Sequence, residues 1–268
     1  MRGRRVTDRA RRLKRPPCPF PNTMRDCARG GPVSMAKNTY TARPIDRLWG
    51  AVRGWAIVYL LASGALVAAT GYRLSLLAGL PSDMGMTEMD VLPGGDLEMV
   101  ATTVASLVWV LAYFVAGFLT LKWFYRATNN ANAFSAGVEN SPAWALWGFV
   151  IPLVSLWKPY GVASELWRTS LAPDRWMGLR DPLMMRWWWG LVLVGNLALS
   201  LSNLMSKNAI TVLALMLTAV VTIAGTVLHI AAGVLFLRIA GPISARQTEL
   251  IGAGRIAPSE ATQPAWAP

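Results

Sequence analysis

Ser141-Pro142-Ala143-Trp144-Ala145-Leu146-Trp147-Gly148-Phe149-Val150-Ile151-Pro152-Leu153-Val154-Ser155-Leu156-Trp157-Lys158-Pro159-Tyr160 is the stretch whose reading decides the fold. It is apolar enough to enter a membrane but broken by proline. As a helix at about 1.5 Å per residue, Ala143 to Trp157 spans roughly 22 Å, short of a hydrocarbon core of about 30 Å. Pro152 also removes a helical hydrogen bond in its middle. The expectation is a re-entrant broken-helix hairpin over residues 142–157 that starts and ends on one side of the bilayer. Ser141-Pro142 supplies an N-cap followed by a proline at the first helical position, and Lys158-Pro159 resets the chain at the far end.

The rest of the chain makes a membrane setting the natural one. Of 268 residues, 54% are hydrophobic and only 15% charged, with a mean hydropathy of +0.37. These values describe an integral membrane protein. The net charge of +12 suggests nucleic acid at first sight, but residues 1–34 hold ten Lys/Arg against two Asp, eight of those twelve charges. That segment has no apolar run, so it is no secretory signal, and it reads as a basic disordered tail. Composition changes abruptly at Met35-Ala36-Lys37, which predicts initiation at Met35. Both cysteines, Cys18 and Cys27, lie before that point, and His229 is the sole histidine. Cysteine chemistry, zinc sites and histidine triads are therefore not expected after Met35, and no cofactor or metal is predicted.

Four apolar segments flank the opening stretch in a membrane domain of residues 35–240. The first covers 54–71, ending near Arg73, whose guanidinium is expected to snorkel to the headgroups. An acidic connection with Asp83, Glu88, Asp90, Asp96 and Glu98 leads to the second, 99–121, closed by Lys122 and Arg126. An Asn-rich link then delivers the chain to Ser141. After the hairpin, residues 160–171 place Val162, Ala163, Leu166, Trp167 and Leu171 on one side, as in an amphipathic helix lying in the interface. Arg186-Trp187-Trp188-Trp189 forms an aromatic and basic collar for a third span, 187–205. A tight loop at Ser206-Lys207-Asn208 turns it back into a fourth, 209–237. Residues 241–268 read as a disordered cytoplasmic tail.

Charge decides between four and five crossings. With a re-entrant hairpin, fourteen of the sixteen Lys/Arg from Met35 onward fall on one side, and only Arg73 and Lys207 on the other. A crossing hairpin divides the same residues seven to nine. The positive-inside rule selects the first arrangement, with both termini cytoplasmic. The fold class is thus all-α, with four transmembrane helices, a cytoplasmic re-entrant hairpin and an interfacial helix.

The run from Trp123 to Pro173 resembles a bacterial membrane family, domain of unknown function 4328. The shared pattern is Trp123-x-x-Arg126, Ser141-Pro142-x-Trp144, Phe149-x-x-Pro152, Trp157-x-Pro159 and Glu165-Leu166-Trp167. Ser155 stands where the family pattern has Asn. The resemblance implies a multi-pass protein of a bacterial inner membrane and brings no catalytic assignment.

Two polar stripes complete the candidate residues. Thr218, Thr222, Thr226 and His229 recur at four, four and three residues, and Asn196, Ser200 and Asn203 do the same one segment earlier. Facing one another, they make interhelical hydrogen bonds, worth roughly 0.6 kcal/mol each. The alternative is a channel or carrier with a polar path through Asn196, Asn203, Thr222, Thr226 and His229. No Asp or Glu lies inside a predicted span, which weighs against coupled transport. The leading expectation is a non-enzymatic scaffold or binding protein whose hairpin region, 141–171, takes membrane lipid or a cytoplasmic protein partner. Trp157, Glu165, Trp167 and Arg168 are the candidate recognition surface, and nucleic acid is not an expected partner.

Overall fold

A computed structural model describes residues 40–85 and 95–254 of the chain. The expectations for residues 1–34, for most of the acidic connection and for the last fourteen residues lie outside these. Among the described residues all regular structure is helical: α1 (Asp46–Leu77), α2 (Gly95–Phe134), α3 (Pro142–Val150), α4 (Lys158–Leu171), α5 (Leu183–Lys207) and α6 (Val212–Gly252). Single 3-10 turns at Val154–Leu156 and Trp176–Gly178 join the shorter pieces. Four of these helices, α1, α2, α5 and α6, are long and apolar enough to cross a membrane. The chain is a multi-pass membrane protein.

The long helices exceed the predicted spans. With 40 residues in α2 and 41 in α6, each is about 60 Å long, roughly twice a hydrocarbon core. The excess lies at the end where α3 and α4 pack. There α2 continues through the Asn-rich segment to Phe134, which sequence treated as a link. Ala127, Ala131, Ala133 and Phe134 are buried along it, so helix spacing runs on past the last basic residue. The expectation of a disordered tail from Gly241 is likewise corrected: α6 runs through Pro242 to Gly252. Ile243, Ser244 and Gln247 are buried there, and this packing outweighs the low helix propensity of proline and glycine.

The four long helices stand in a row, α2–α1–α6–α5, each packed on the next. α2 and α5, at the two ends of the row, are not packed against each other. The row is therefore open between its two end helices. At the end away from α3, Val212 N donates to Met84 O (3.1 Å) and Leu213 N to Ser82 O (3.1 Å), tying the first turn of α6 to the loop after α1. Arg73 there lies 3.9 Å from Glu98, so the snorkelling arginine has a carboxylate partner.

The main apolar core sits at the α3 end. It joins Ile45, Trp123, Phe124, Leu166, Trp188 and Phe236, contributed by five segments. A buried polar network lies beside it. Asn130 accepts from Arg43 N (2.8 Å) and donates to Arg43 O (3.0 Å), completing the backbone of the lead into α1. It also donates to Gln247 Oε1 (3.1 Å), while Gln247 donates to Ala127 O (3.1 Å) and Ser170 Oγ (3.2 Å). Four segments are thus fixed by two amides, whose bonding capacity the burial would otherwise leave unmet.

The helix expected to lie in the interface is buried on both sides. Val162, Ala163 and Leu166 of α4 turn into the protein core, and Ser164, Glu165, Thr169 and Ser170 are buried as well. Its amphipathic pattern serves an internal contact, and little of its apolar side is left for lipid.

Candidate functional site

The broken stretch is built as the local sequence dictates. Ser141 Oγ accepts from Trp144 N (3.4 Å), capping α3, and Pro142 takes the first helical position. The helix stops at Ile151, which is extended at φ −77°, ψ 117°. This is the conformation a following proline imposes on its predecessor. Pro152 ends α3 by acting on the residue before it. At nine residues, α3 is about 13.5 Å long and cannot cross a bilayer.

The freed backbone is then satisfied almost completely from within. Ile151 O accepts from Ser155 N (2.8 Å), Leu153 O from Leu156 N (3.2 Å) and Val154 O from Trp157 N (3.3 Å). Ser155 Oγ donates to Pro152 O (2.7 Å), and Trp189 Nε1 on α5 donates to Leu156 O (2.7 Å). The side chains around these bonds are apolar and point outward. Trp147 is 58% exposed, Leu153 72% and Trp157 59%. An outward-facing apolar surface over a self-satisfied backbone is what lipid requires, because hydrocarbon supplies no hydrogen bonds. The limbs of the hairpin also close tightly: a Cβ on Gly148 would lie 2.8 Å from Lys158 Cγ. Lys158 Nζ in turn sits 5.5 Å over the Trp144 ring.

Behind the hairpin, in the gap between α2 and α5, lies a chamber of about 460 Å3. Phe149, Val150 and Ser155 of the hairpin line one end, and Asn196 and His229 line it deeper in the helix row. Apart from Thr120, its walls are otherwise aromatic and aliphatic, with Tyr59, Tyr113, Phe124, Trp188, Trp189 and Phe236 among them. No charged residue lines it. The aromatic rings are mutually braced: Phe124 and Phe149 have centroids 5.0 Å apart, Phe149 and Trp189 6.3 Å.

The remaining motif residues are structural. Trp123 is buried and donates to Ser244 Oγ on α6 (2.9 Å), while Arg126 donates to Pro44 O (3.0 Å). Glu165 is buried and accepts from Glu139 N (2.7 Å), Asn140 N (3.1 Å) and Asn140 Nδ2 (2.7 Å). It therefore fixes the approach to Ser141. Arg168 is held by Ser164 Oγ (2.8 Å), by Asp181 (3.4 Å) and by the Trp176 ring 5.7 Å away. Pro159 is buried in the first turn of α4, and Trp167 packs on the core. The predicted recognition surface is thus corrected. Glu165 and Arg168 are committed to internal bonds, and Trp157 alone of the four is freely exposed.

The polar stripes meet only in part. On α5 the side turned to α6 carries Gly195, Ala198, Leu199 and Ser202, one position off the predicted Asn196, Ser200 and Asn203. A Cβ on Gly195 would lie 2.6 Å from His229 Cδ2. Small residues set the close approach, and they override the polar pattern as the guide to register. Ser202 Oγ bonds Thr222 Oγ1 and lies 3.4 Å from Thr218 O. Thr226 is buried and donates to Thr222 O in its own helix (2.8 Å). Asn203 is exposed and takes no part. These contacts pack α5 on α6 where a polar path was the alternative expectation. Asn196 and His229 do come together, at the chamber.

Sequence reasoning missed Trp189 as the partner of Leu156, since the Trp187–Trp189 run served equally as a belt. Trp187 is 61% exposed, whereas Trp188 and Trp189 are buried, a division set by 100° steps that needs the α5 register. No sequence signal marked the chamber, which arises from two helices that are not packed on each other.

No curated protein and no solved structure matches the chain. A family model described as Domain of unknown function (DUF4328) matches residues 96–244, more than half of the chain. The match takes in the hairpin, α4, α5 and most of α2 and α6, including every position of the Trp123–Trp167 pattern. With the motif residues forming one folded unit and the match running through it, the chain belongs to the DUF4328 family.

Proposed function

We propose that the protein is a non-enzymatic, lipid-binding protein of a bacterial inner membrane. Its hairpin dips into the bilayer from the cytoplasmic face, and a bilayer lipid occupies the chamber that the hairpin walls. Both termini are cytoplasmic in this reading, which the fourteen-to-two division of Lys/Arg supports. The observation that carries it is the gap between α2 and α5, backed by an apolar hairpin whose carbonyls are hydrogen-bonded internally. A chamber of this size falls within the ~300–1,000 Å3 common for small-molecule sites. Open along a helix row with apolar flanks such as Phe118 and Leu197, it is reached most directly from the lipid phase.

The test is native mass spectrometry of the full chain extracted in mild detergent. A retained lipid of defined mass is expected, lost on Phe149→Ala, which removes the ring facing Phe124 and Trp189. A protein that emits without lipid under conditions where annular lipid is stripped and fold is kept contradicts the proposal.

A further inference from the structure

The chamber's polar groups point to the chemistry of its occupant. Asn196 lies near the middle of α5 and lines the chamber, and its side chain has no hydrogen bond among the described residues. An amide left bare in hydrocarbon costs several kcal/mol. His229 Nε2 is buried and has no partner either, enclosed where Gly195 closes on the ring. Nδ1 is not enclosed in this way, so it is the ring nitrogen left to bond an occupant, as a donor when it carries the proton of the neutral imidazole. Asn196 has an N–H to offer to a hydrogen-bond acceptor, and His229 offers a second in its Nδ1–H tautomer. No charged side chain is present to neutralise a phosphate or an ammonium, which excludes an ionic headgroup at this depth. Between these polar groups and the hairpin the chamber is walled by rings, with Tyr59, Tyr113, Trp188 and Trp189 among its lining, and such walls favour a flat partner.

Building on the lipid-chamber reading above, we infer that the occupant is an uncharged amphiphile with a flat, carbonyl-bearing ring and an apolar tail, the chemistry of an isoprenoid quinone. Asn196 Nδ2 and His229 are the donors to its carbonyl oxygens, and the tail leaves through the gap between α2 and α5. Binding alone is inferred; no electron transfer is assigned.

Decylubiquinone titrated into the full chain in nanodiscs provides the test, read as quenching of tryptophan fluorescence, since Trp188 and Trp189 line the chamber. Dioleoylglycerol and dioleoylphosphatidic acid, added as competitors, separate other neutral lipids and charged ones. Saturable quenching is expected, displaced by neither lipid. Asn196→Leu is expected to raise the apparent Kd by about tenfold, equivalent to about 1.4 kcal/mol for one lost hydrogen bond. Asn203→Leu, exposed on the same helix and away from the chamber, leaves it unchanged. Because Asn196 is exposed, its replacement leaves the fold intact, unlike a change at His229. If dioleoylglycerol displaces the quinone equally, or Asn196→Leu binds as wild type, the ring-and-carbonyl inference fails while the lipid chamber stands. If native mass spectrometry shows no lipid in the chamber at all, both fail.

Discussion

Replacing Trp189 by Phe isolates the bond that secures the hairpin. Trp189 Nε1 donates to Leu156 O at 2.7 Å, and its ring meets Phe149 edge-on, at 6.3 Å and 89°. Phenylalanine keeps an aromatic ring against Phe149 and loses only the donor, so the cavity penalty of an alanine is largely avoided. What remains is a carbonyl without a partner at the turn of the hairpin, and in the proposed membrane setting no water replaces the lost donor. Leaving a buried acceptor unsatisfied costs about 1–3 kcal/mol, roughly a 5- to 150-fold shift in a local opening equilibrium. Hydrogen–deuterium exchange in nanodiscs should show faster exchange over residues 151–157, while α1 and the α5–α6 contact keep their protection. Exchange of that segment at the wild-type rate would refute the claim that the indole N–H holds the hairpin.

Other perturbations follow from the same contacts. Gly195→Ala drives a methyl to within 2.6 Å of His229 Cδ2 and should destabilise the α5–α6 pair by about 1–3 kcal/mol in detergent unfolding. Gly64→Ala, with open space around it, should leave stability unchanged or slightly raised. Asn130→Leu strands the Arg43 backbone groups and Gln247, and should cost about 1–3 kcal/mol per unsatisfied group, measurable as a lowered Tm. Glu165→Gln replaces one acceptor oxygen with a donor beside Glu139 N and Asn140. Limited proteolysis should then cut between Phe134 and Ser141 faster than in wild type.

The four long apolar helices were legible in the sequence because bilayer thickness sets their minimum length independently of packing. Pro152 was enough to place the end of α3, through the extended backbone it imposes on Ile151. Helix ends were less legible. Apolarity stops near Lys122 and Arg238, yet α2 and α6 continue as helices packed on one another's neighbours through Asn130, Gln247 and the α4 contacts, which are long-range and carry no hydropathy signal. The polar stripes show the same limit. Asn196, Ser200 and Asn203 share a helical face, but Gly195 and Gly225 decide which face meets α6. Glu165 and Arg168 looked available on a surface helix because their partners, the 139–140 backbone and Asp181, come from loops that no pattern places beside them.

The central claim is that the hairpin enters and leaves the bilayer on one side. Single cysteines at Ala136, Leu153 and Arg175, in a chain with Cys18 and Cys27 replaced, can be probed with a membrane-impermeant maleimide in sealed, oriented vesicles. Ala136 and Arg175 are exposed before and after the hairpin, and Leu153 is at its tip. Ala136→Cys and Arg175→Cys are predicted to react from the cytoplasmic side alone, with Leu153→Cys protected until detergent is added. Labelling of Ala136→Cys and Arg175→Cys from opposite sides would contradict the account.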